Sequence, residues 1–184
     1  LGRRDCHLSS WDSVHSAVQS HEPSRVFNAA AYNDVDGAEE ETDIAFDINA
    51  AGPGRLASAC REVGARLMHF STDYVFGHGY SRPIDESRDP EPLSAYGRSK
   101  LLGERLALTN NDRTFVVRTC GLYSHRRSNF VRTMIRHGIA GTDLEIVDDQ
   151  TLSPTWVRPL ARAAIELSET TVFGTYHVAA TGGC

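Results

Sequence analysis

The segment Arg66-Leu67-Met68-His69-Phe70-Ser71-Thr72-Asp73-Tyr74-Val75-Phe76 decides the fold of this 184-residue chain. Its first half is an apolar run of strand length, and polar residues follow where that strand ends. Similar strand-like runs alternate with helical patterns before and after it. Such alternation predicts an α/β fold, in which a parallel sheet carries helices on both faces.

The predicted elements follow one another along the whole chain. Strands are expected at 25–30, 66–71, 114–119, 144–147 and 175–179, the first of them buried. Helices are expected at 11–19 after a Ser10 N-cap, 38–62, 95–108, 129–137 and 157–167, with a polar loop at 77–94. Gly52-Pro53-Gly54 interrupts the second helix, because proline in a helix interior costs about 3 kcal/mol. We expect a kink or a restart there, and Gly64 as the C-terminal cap.

Tyr96 and Lys100 indicate the chemistry, because they fall one turn apart on one face of the helix 95–108. A free tyrosine has a pKa of about 10, and a nearby ammonium lowers that pKa by favouring the phenolate. A hydroxyl at the strand end, Thr72 or Ser71, could hold a carbonyl oxygen beside the phenol. The three groups suit reduction of a ketone, with Tyr96 delivering the proton. The spacing alone is also typical of an exposed helix with a snorkelling lysine.

Three clusters of small or polar residues are expected to converge on one crevice. Residues 28–31, 71–73 and 119–121 each follow a predicted strand. Ligands of open parallel sheets bind beyond the carboxyl ends of the strands. A random arrangement would not place three such clusters at one edge of the sheet.

Composition argues against several classes of function. A net charge of -5 without a Lys/Arg stripe argues against nucleic-acid binding. No apolar run approaches the roughly 20 residues that cross a membrane, and the first residues lack a signal-peptide core, so we expect a cytoplasmic protein. The four cysteines and eight histidines are scattered without CxxC or HExxH motifs. No metal site is therefore predicted, and the thiols are expected to be free.

The chain resembles the extended short-chain dehydrogenase/reductases and, among them, the dTDP-4-dehydrorhamnose reductase family. The most specific match is Ser71-Thr72-Asp73-Tyr74-Val75-Phe76 followed by Tyr96-Gly97-Arg98-Ser99-Lys100. The order and spacing of the motifs agree over nearly the whole chain. The other matching stretches are Asn28-Ala29-Ala30-Ala31-Tyr32, Val35-Asp36, Ala38-Glu39, Asn49-Ala50, Gly103-Glu104, Arg118-Thr119, Asn129-Phe130, Asp149-Gln150 and Pro154-Thr155.

The resemblance implies a Rossmann-like, doubly wound parallel sheet and NADPH-dependent reduction of dTDP-4-dehydro-6-deoxy-L-mannose at its 4-keto group, giving dTDP-L-rhamnose. It assigns a catalytic triad in which Tyr96 protonates the alkoxide, Lys100 lowers the Tyr96 pKa and binds the nicotinamide ribose, and Thr72 orients the carbonyl. It implies cofactor contacts from Asp5, Cys6, Asn28, Ala29, Ala30, Ala31, Tyr96, Lys100 and Thr119. It implies sugar-nucleotide contacts from Val35, Thr72, Asp73, Tyr74, Tyr96, Asn129, Phe130, Pro154 and Thr155.

Several of these positions have an explanation that needs no ligand. Residues 29–31 would serve equally for close strand–helix packing, and Asp73 for capping a turn. Tyr74 would fit a core position, Asn129 an N-cap, and Asp149-Gln150 a solvated turn. The triad is the assignment that these alternatives leave strongest.

The start of the chain departs from the family pattern. No G-x-G-x-x-G turn occurs between a strand and a helix, where the pyrophosphate of a dinucleotide is normally held. Asp5-Cys6 instead resembles a later family segment near the adenine. We therefore expect a chain that lacks the first βαβ unit, carries part of a small C-terminal substrate lobe, binds cofactor poorly and is inactive alone. The strand at Val26–Ala30 would then be an open, aggregation-prone edge.

Two local departures leave the identity of the sugar open. The family commonly has Trp at the position of Gly121, and it has Gly at the position of Leu152. A positive φ at the second position would strain leucine. The alternatives are a reductase or epimerase for another sugar nucleotide, and a non-catalytic subunit resembling the regulatory subunit of methionine adenosyltransferase.

The division into domains is expected near residue 125, with a partial NAD(P)-binding domain at 1–125 and mixed substrate-lobe and returning segments at 126–184. The sequence leaves the choice between NADPH and NADH open. A homodimer with magnesium at its interface is equally open, and Glu39, Glu40 and Glu41 are carboxylates that could not be assigned to it.

Overall fold

The computed structural model describes residues 1–2, 4–77, 82–126, 128–146 and 151–183. Its strands are β1 Arg25–Asn28, β2 Arg66–Thr72, β3 Thr114–Thr119, β4 Leu122–Tyr123, β5 Thr155–Trp156 and β6 Gly174–His177. Its α-helices are α1 Trp11–His21, α2 Gly37–Glu40, α3 Thr42–Phe46, α4 Gly52–Glu62, α5 Ala95–Asn110, α6 Phe130–Ala140 and α7 Val157–Glu169. A π-helix, Asp47–Ala51, joins α3 to α4, and a 3-10 helix, Asp73–Val75, follows β2.

Four parallel strands form the main sheet in the order β1-β2-β3-β6. The register aligns Asn28 with His69 and Thr72 with Thr119, so the carboxyl ends of β1, β2 and β3 lie at one edge of the sheet. This arrangement confirms the predicted α/β fold with a parallel sheet. β4 and β5 form a separate parallel pair, which the sequence pattern did not predict.

Helices cover both faces of the main sheet. On one face α1, α4 and α5 pack over Leu67 of β2, and on the other face α7 packs over Met68. Successive residues of a strand point to opposite faces, which is why these two neighbours enter different clusters. The buried apolar residues of the first cluster include Val14, Val18, Leu56, Ala57, Ala59, Cys60 and Ala107. Those of the second include Phe115, Val117, Leu160 and Ala164.

Strand β1 is an edge strand and not the buried strand that we expected. It ends at Asn28, two residues earlier than predicted. The Phe27 side chain is 42% exposed, because no strand within the described residues pairs with the outer side of β1. The prediction of a buried strand is therefore wrong, and the prediction of an open edge is confirmed. Aggregation through this edge stays a prediction.

The predicted interruption of the helix 38–62 is confirmed. The π-helix ends where α4 starts at Gly52, and Pro53 lies in the first turn of α4, where a missing N–H costs nothing. Gly103 of α5 lies against the carbonyl oxygen of Asn49, and a Cβ at position 103 would come within 2.0 Å of that oxygen. The irregular segment therefore presents its backbone directly to α5.

The other predicted elements agree with the structure to within a turn, with one exception. The predicted strand at 144–147 is wrong, because residues 144–146 form no strand, and Val147 lies outside the described residues. Leu144 and Ile146 are exposed, so no sheet edge receives them. Gly64 has a φ of +69° after α4, which confirms it as the cap. Within the described residues no helix is long and apolar enough to cross a membrane.

Candidate active site

The carboxyl end of β2 leads into the 3-10 helix, and Thr72 caps that helix. The Thr72 hydroxyl donates to Oδ1 of Asp73 at 3.0 Å and accepts the Tyr74 N–H at 3.2 Å. Burial raises the pKa of the Asp73 carboxyl, and the hydrogen bond from Thr72 opposes that rise. Thr72 is therefore held in place by its own neighbours in the chain.

Tyr96 lies in the first turn of α5, the helix that Ser94 caps. Its side chain is 8% exposed, and the ring of Tyr74 stands edge-on to it with 5.5 Å between the ring centres. Burial raises the pKa of the Tyr96 phenol, a hydrogen bond with Thr72 opposes the rise, and Asp73 and Tyr74 add to it. The phenol and the Thr72 hydroxyl are therefore neighbours.

Lys100 is buried one turn further along α5, with 2% of its surface exposed. Its Nζ donates to the carbonyl oxygen of Phe70 in β2 at 2.7 Å. Burial lowers the pKa of Lys100 to about 8, and the charge of Glu104 opposes that shift. The pKa of Tyr96 lies above its usual value in the protein. The net lowering of that pKa that we expected from Lys100 is therefore not seen.

Lys100 is the only lysine in the sequence, since the other 18 of the 19 Lys and Arg residues are arginine. Arginine keeps its charge at any relevant pH, whereas a lysine ammonium is compact and shifts its pKa readily when it is buried. The chain thus uses arginine for fixed positive charge and has a lysine ammonium at one place, one turn of α5 after Tyr96. The motifs made no use of the number of lysines, which points to the same site on separate grounds.

Three buried polar atoms on β2 and β3 have no hydrogen-bond partner within the described residues: Nε2 of His69, Oγ of Ser71 and Oγ1 of Thr119. Thr119 lies opposite Thr72 in the register. The side-chain amide of Asn28 in β1 lies 3.1 Å from Nδ1 of His69. Buried polar atoms without a partner are rare in folded proteins, and here they gather on the strands that lead into the crevice.

The segment that follows β1 is open to solvent. Ala29 and Ala30 are exposed and Ala31 is half-buried, so close strand–helix packing is wrong as an explanation of the first two. The Asn28 side chain accepts the Ala30 N–H at 3.2 Å, which fixes the path of the backbone. An exposed backbone with small side chains, next to unpartnered hydroxyls, fits a dinucleotide lying across the strand ends.

The predicted residues near the chain start lie away from Tyr96. Oδ2 of Asp5 accepts the Gly2 N–H at 2.7 Å, and Cys6 packs against the cluster beneath α1 and α4. Val35, in contrast, packs against the cluster that contains Tyr96. Val35 therefore packs with the cluster that contains Tyr96, whereas Cys6 packs in a different cluster and Asp5 is exposed.

The predicted sugar contacts on α6 are one capping residue and one exposed ring. Oδ1 of Asn129 accepts the Arg132 N–H at 3.1 Å, so the alternative explanation of Asn129 as an N-cap is confirmed. Phe130 follows it and is 64% exposed. Tyr74, for which a core position was the alternative, is 43% exposed, and that alternative is wrong.

The predicted contacts at the second strand pair are also tied into the fold. Thr155 is buried in β5, and its hydroxyl donates to the Ser153 carbonyl at 2.9 Å and accepts the Ala180 N–H at 3.1 Å. Pro154 precedes it and is half-buried. The hydroxyl of Thr155 is thus already occupied. Asp149 and Gln150 lie outside the described residues.

The two departures from the family pattern meet in space. Gly121 has a φ of +54°, and Cδ1 of Leu152 would lie 2.6 Å from a Cβ at position 121. Glu22 is the only described residue other than glycine with a positive φ, so Leu152 is not in the left-handed region. The strain that we expected at Leu152 is therefore absent, and its side chain fills the space over Gly121.

Replacing Gly121 with Ala is expected to lower the free energy of unfolding by about 2 kcal/mol, which adds the cost of the left-handed backbone to a clash with Leu152. Urea unfolding measures it. Gly64→Ala is the matched control, because its φ is +69° and the nearest atom to a Cβ there lies 3.8 Å away. The control is expected to lose only the backbone part, about 1 kcal/mol. Equal losses in the two variants would show that Leu152 does not fill this space.

Asn49 is a positioning residue that entered the sequence analysis only as part of a motif. Its Oδ1 accepts the Tyr32 N–H at 2.8 Å, and its amide donates to the Tyr32 carbonyl at 2.9 Å and to Oγ of Ser99 at 3.0 Å. It thereby ties the segment after β1 to α5. A polar residue on the buried face of a helical pattern was the signal that could have found it.

Two of the three carboxylates that were open candidates for magnesium are engaged within the chain. Glu39 accepts the Ala95 N–H at 2.6 Å, and Glu41 accepts the Tyr32 hydroxyl at 2.6 Å. In the part of the chain that the structure describes, no group of three or more His, Cys, Asp or Glu side chains could hold a metal ion.

Comparison with known proteins points to one family. The family model described as the RmlD substrate binding domain matches residues 1–184. The chain is 41% identical over 189 residues to a dTDP-4-dehydrorhamnose reductase from Streptomyces griseus, a match that covers 100% of this chain and 62% of that protein. It is 37% identical over 184 residues to a dTDP-4-keto-6-deoxy-D-glucose reductase from Streptomyces niveus, covering 99% of this chain and 64% of that protein.

A solved structure agrees with these relatives. The dTDP-4-dehydrorhamnose reductase from Bacillus anthracis in complex with NADP has a TM-score of 0.97 and 39% identity, over 100% of this chain and 66% of that chain. This likeness confirms the Rossmann-like parallel sheet. The chain spans about three fifths of the length of the curated relatives that it matches.

Proposed function

The chain belongs to the RmlD substrate-binding domain family, and on that premise we propose that it carries the catalytic groups of an NAD(P)-dependent nucleotide-sugar reductase. The reaction is reduction of dTDP-4-dehydrorhamnose at its 4-keto group to dTDP-L-rhamnose, an activated sugar for cell-surface polysaccharides. The observation that carries the proposal is the meeting of the Tyr96 phenol with the Thr72 hydroxyl, one helical turn from the buried ammonium of Lys100.

Tyr96 is the proton donor in this proposal. Burial raises the pKa of its phenol, so the group carries its proton at neutral pH, as a donor must. The Thr72 hydroxyl, beside the phenol, holds the carbonyl oxygen of the sugar. The ammonium of Lys100 stabilises the phenolate that remains after the proton has left, because opposite charges favour the ionised form.

The cofactor is a nicotinamide dinucleotide, which when bound supplies the hydride that adds to the carbonyl carbon. The exposed backbone at 29–30, the side chains of Asn28 and Lys100 and the unpartnered hydroxyl of Thr119 hold it at the sheet edge. Half-buried Ala31 leaves room beside them. The NADP in the structure of the Bacillus anthracis relative supports NADPH over NADH. Asp5-Cys6 stays the predicted contact for the adenine end.

In this proposal the sugar nucleotide lies beside the Tyr96 phenol, on the side formed by Val35, Asp73 and Tyr74. Val35 packs against the Tyr96 cluster, and Asp73 and the exposed Tyr74 lie on the 3-10 helix beside it. These residues form the near side of the sugar site. The far side consists of residues that the fold holds on α6 and at β5: Asn129, Phe130, Pro154 and Thr155.

A reductase for a different dTDP-4-keto-6-deoxyhexose is the second candidate. The specific observation in its favour is the side chain of Leu152 over Gly121, which gives an aliphatic surface where the family commonly has Trp. The Streptomyces niveus relative is named for dTDP-4-keto-6-deoxy-D-glucose. The third candidate, a non-catalytic binding subunit, predicts no turnover of either sugar.

The test is turnover by the natural protein at its full length with each of the two sugar nucleotides. The absorbance of NADPH reports the rate, and the sugar product is identified by NMR. Consumption of NADPH that depends on dTDP-4-dehydrorhamnose is the expected result. A clear preference for dTDP-4-keto-6-deoxy-D-glucose would move the proposal to the second candidate. Tight binding of a sugar nucleotide without turnover would sink both enzyme proposals.

The remaining proposals concern the setting of the reaction. We propose a cytoplasmic location for this reaction. The division at residue 125 assigns the cofactor to residues 1–125 and the sugar mainly to 126–184, and β6 returns from the second segment to the main sheet. A homodimer is the assembly to test, by light scattering.

A further inference from the structure

Glu104 follows Lys100 by one turn of α5 and lies on the same buried face. Its side chain is 2% exposed. Arg118 of β3 holds both of its oxygens, with Nε at 3.0 Å from Oε1 and Nη2 at 2.7 Å from Oε2. This ion pair therefore joins the helix to the sheet one turn away from the candidate site.

Arg118 is fixed on its other side as well. Its guanidinium stacks over Phe76, 5.2 Å from the ring centre, and Nη1 lies 3.4 Å from Nε2 of His177 in β6. Nδ1 of His177 lies 2.8 Å from the Ile84 carbonyl, which can only accept, so Nδ1 carries the proton and Nε2 accepts from Arg118. The guanidinium is thus held by β6 and, through His177, by the loop before α5.

A buried ion pair is a costly way to join a helix to a sheet. Desolvation of the two charges offsets most of their attraction, and a pair of apolar residues would pack as well or better. Other contacts of α5 are of that apolar kind, such as Leu101 and Ala107 in their clusters. The position of the ion pair, one turn from the only lysine, points to a role beyond packing.

The electrostatic surroundings of Lys100 single out Glu104. Burial, and then the charge of Lys100, hold the pKa of His69 well below its usual value, so His69 is neutral. Tyr96, one turn earlier on α5, carries its proton. The charge of Glu104 raises the pKa of Lys100 and so favours the charged form of the lysine. The elements packed against α5 carry further titratable groups: Arg66 of β2, Arg118 of β3, Asp73 and Tyr74 of the 3-10 helix, Glu39 and Glu40 of α2, Asp43 of α3, Asp47 of the π-helix, and Arg55, Cys60, Arg61 and Glu62 of α4. Among the charged side chains, Glu104 is the one that shifts the pKa of Lys100.

We propose that Glu104, held by Arg118, is a positioning residue that keeps the buried Lys100 side chain charged and in place beside Tyr96. The side chain of Glu104 supplies the negative charge from the same helix, and Arg118 prevents the carboxylate from turning toward the ammonium and drawing it away from the candidate site into a direct ion pair. The effect on turnover rests on the function proposed above. The effect on the charge of Lys100 does not, so the two can fail separately.

The direct test uses the single lysine. The 184-residue chain labelled with isotopic lysine gives one side-chain NMR signal, and its titration midpoint reports the proton affinity of Lys100. The expected midpoint of the natural protein is about 8. In Glu104→Gln the midpoint is expected to fall by about one pH unit, a tenfold loss of proton affinity, because the carboxylate is gone and the Arg118 charge is no longer balanced.

The matched control is Glu169→Gln, which makes the same chemical change in the Arg25–Glu169 ion pair at the surface. Its midpoint is expected to equal that of the natural protein. An unchanged midpoint in Glu104→Gln, or an equal fall in the control, would overturn the proposal.

A second variant covers the case in which Glu104→Gln does not fold. In the double variant Glu104→Gln/Arg118→Gln two neutral amides replace the ion pair and can hydrogen-bond to each other. This variant lacks both the Glu104 carboxylate and the Arg118 guanidinium. Its midpoint is expected to lie below that of the natural protein, because the carboxylate is gone, and above that of Glu104→Gln, because no unbalanced Arg118 charge remains. A double variant that titrates like the natural protein contradicts the proposal.

Turnover gives the second readout. Lys100 is charged below its midpoint and neutral above it, so kcat/KM that depends on the ammonium falls as the pH rises through that midpoint. Glu104→Gln is expected to move this fall to lower pH by the same interval as the NMR midpoint, with the profile of Glu169→Gln unmoved. A purely structural role would lower the rate at every pH and leave the profile in place. If the NMR midpoint moves and no turnover is seen in the natural protein, the proposed function fails while the role of Glu104 stands.

Discussion

Replacing Tyr96 with Phe is expected to lower kcat by roughly 100- to 10,000-fold, the contribution typical of a positioned general acid. The change removes one hydroxyl and leaves the ring that packs edge-on against Tyr74. Folding is therefore expected to be unchanged, and NADPH binding, which calorimetry measures, is expected to weaken by no more than the loss of one hydroxyl contact. The rate is measured with the sugar nucleotide that the natural full-length protein prefers.

The control for this experiment is Tyr176→Phe. Tyr176 of β6 donates its hydroxyl to the Val172 carbonyl, away from the candidate site, so this variant loses a phenol of the same kind without touching the reaction. Its kcat is expected to stay at the natural value. If Tyr96→Phe turned over as fast as Tyr176→Phe, Tyr96 would not be the proton donor, and the non-catalytic candidate would gain weight.

Replacing Gly103 with Ala is expected to lower the free energy of unfolding by about 3 kcal/mol, at the upper end of what overpacking of a core costs. A Cβ at this position would lie 2.0 Å from the carbonyl oxygen of Asn49, and both atoms belong to backbones that cannot turn aside. α5 would have to move off the π-helix, and Tyr96 and Lys100 would move with it. Urea unfolding followed by circular dichroism measures the loss.

Gly138→Ala is expected to have the opposite effect, although Gly138, like Gly103, lies in an α-helix. Gly138 lies within α6, and nothing lies within 4 Å of a Cβ built there. Alanine is expected to stabilise the protein by about 0.5–1 kcal/mol, because it favours the helix and restricts the unfolded chain. The sign of the two changes should therefore differ. A Gly103→Ala protein as stable as the natural one would show that α5 is not pressed against Asn49.

The parts of the fold that were predictable from sequence are those in which local pattern and tertiary structure agree. Strand β3 matches its prediction at both ends, because it is buried along its length and five of its six residues are β-branched or aromatic, Arg118 being the exception. The segment 144–146 carries a similar signal and forms no strand, because pairing needs a partner edge that a local pattern cannot report. β4 and β5 are the reverse case, since a pair of two-residue strands leaves no periodic pattern to read.

The candidate site also has a part that was predictable from the sequence and a part that was not. The neighbourhood of Thr72 and Tyr96 was predictable, because a strand end and the first turn of the next helix have fixed places in a parallel α/β fold. The direction of the Lys100 side chain was not, because the carbonyl of Phe70 that accepts its hydrogen bond becomes a neighbour only after folding. The same holds for the ion pair between Glu104 and Arg118, whose partners lie on different elements.

The single lysine, buried in α5, gives this 184-residue chain an unusual response to a protease that cuts only after lysine. The chain contains one bond for such an enzyme, between Lys100 and Leu101, and cutting it yields two pieces, 1–100 and 101–184. That bond lies in the middle of a packed helix, so the folded protein presents no substrate. A molecule is therefore cut only after α5 has opened. The rate at which two bands replace one on a gel measures how often α5 opens, without a label or a denaturant.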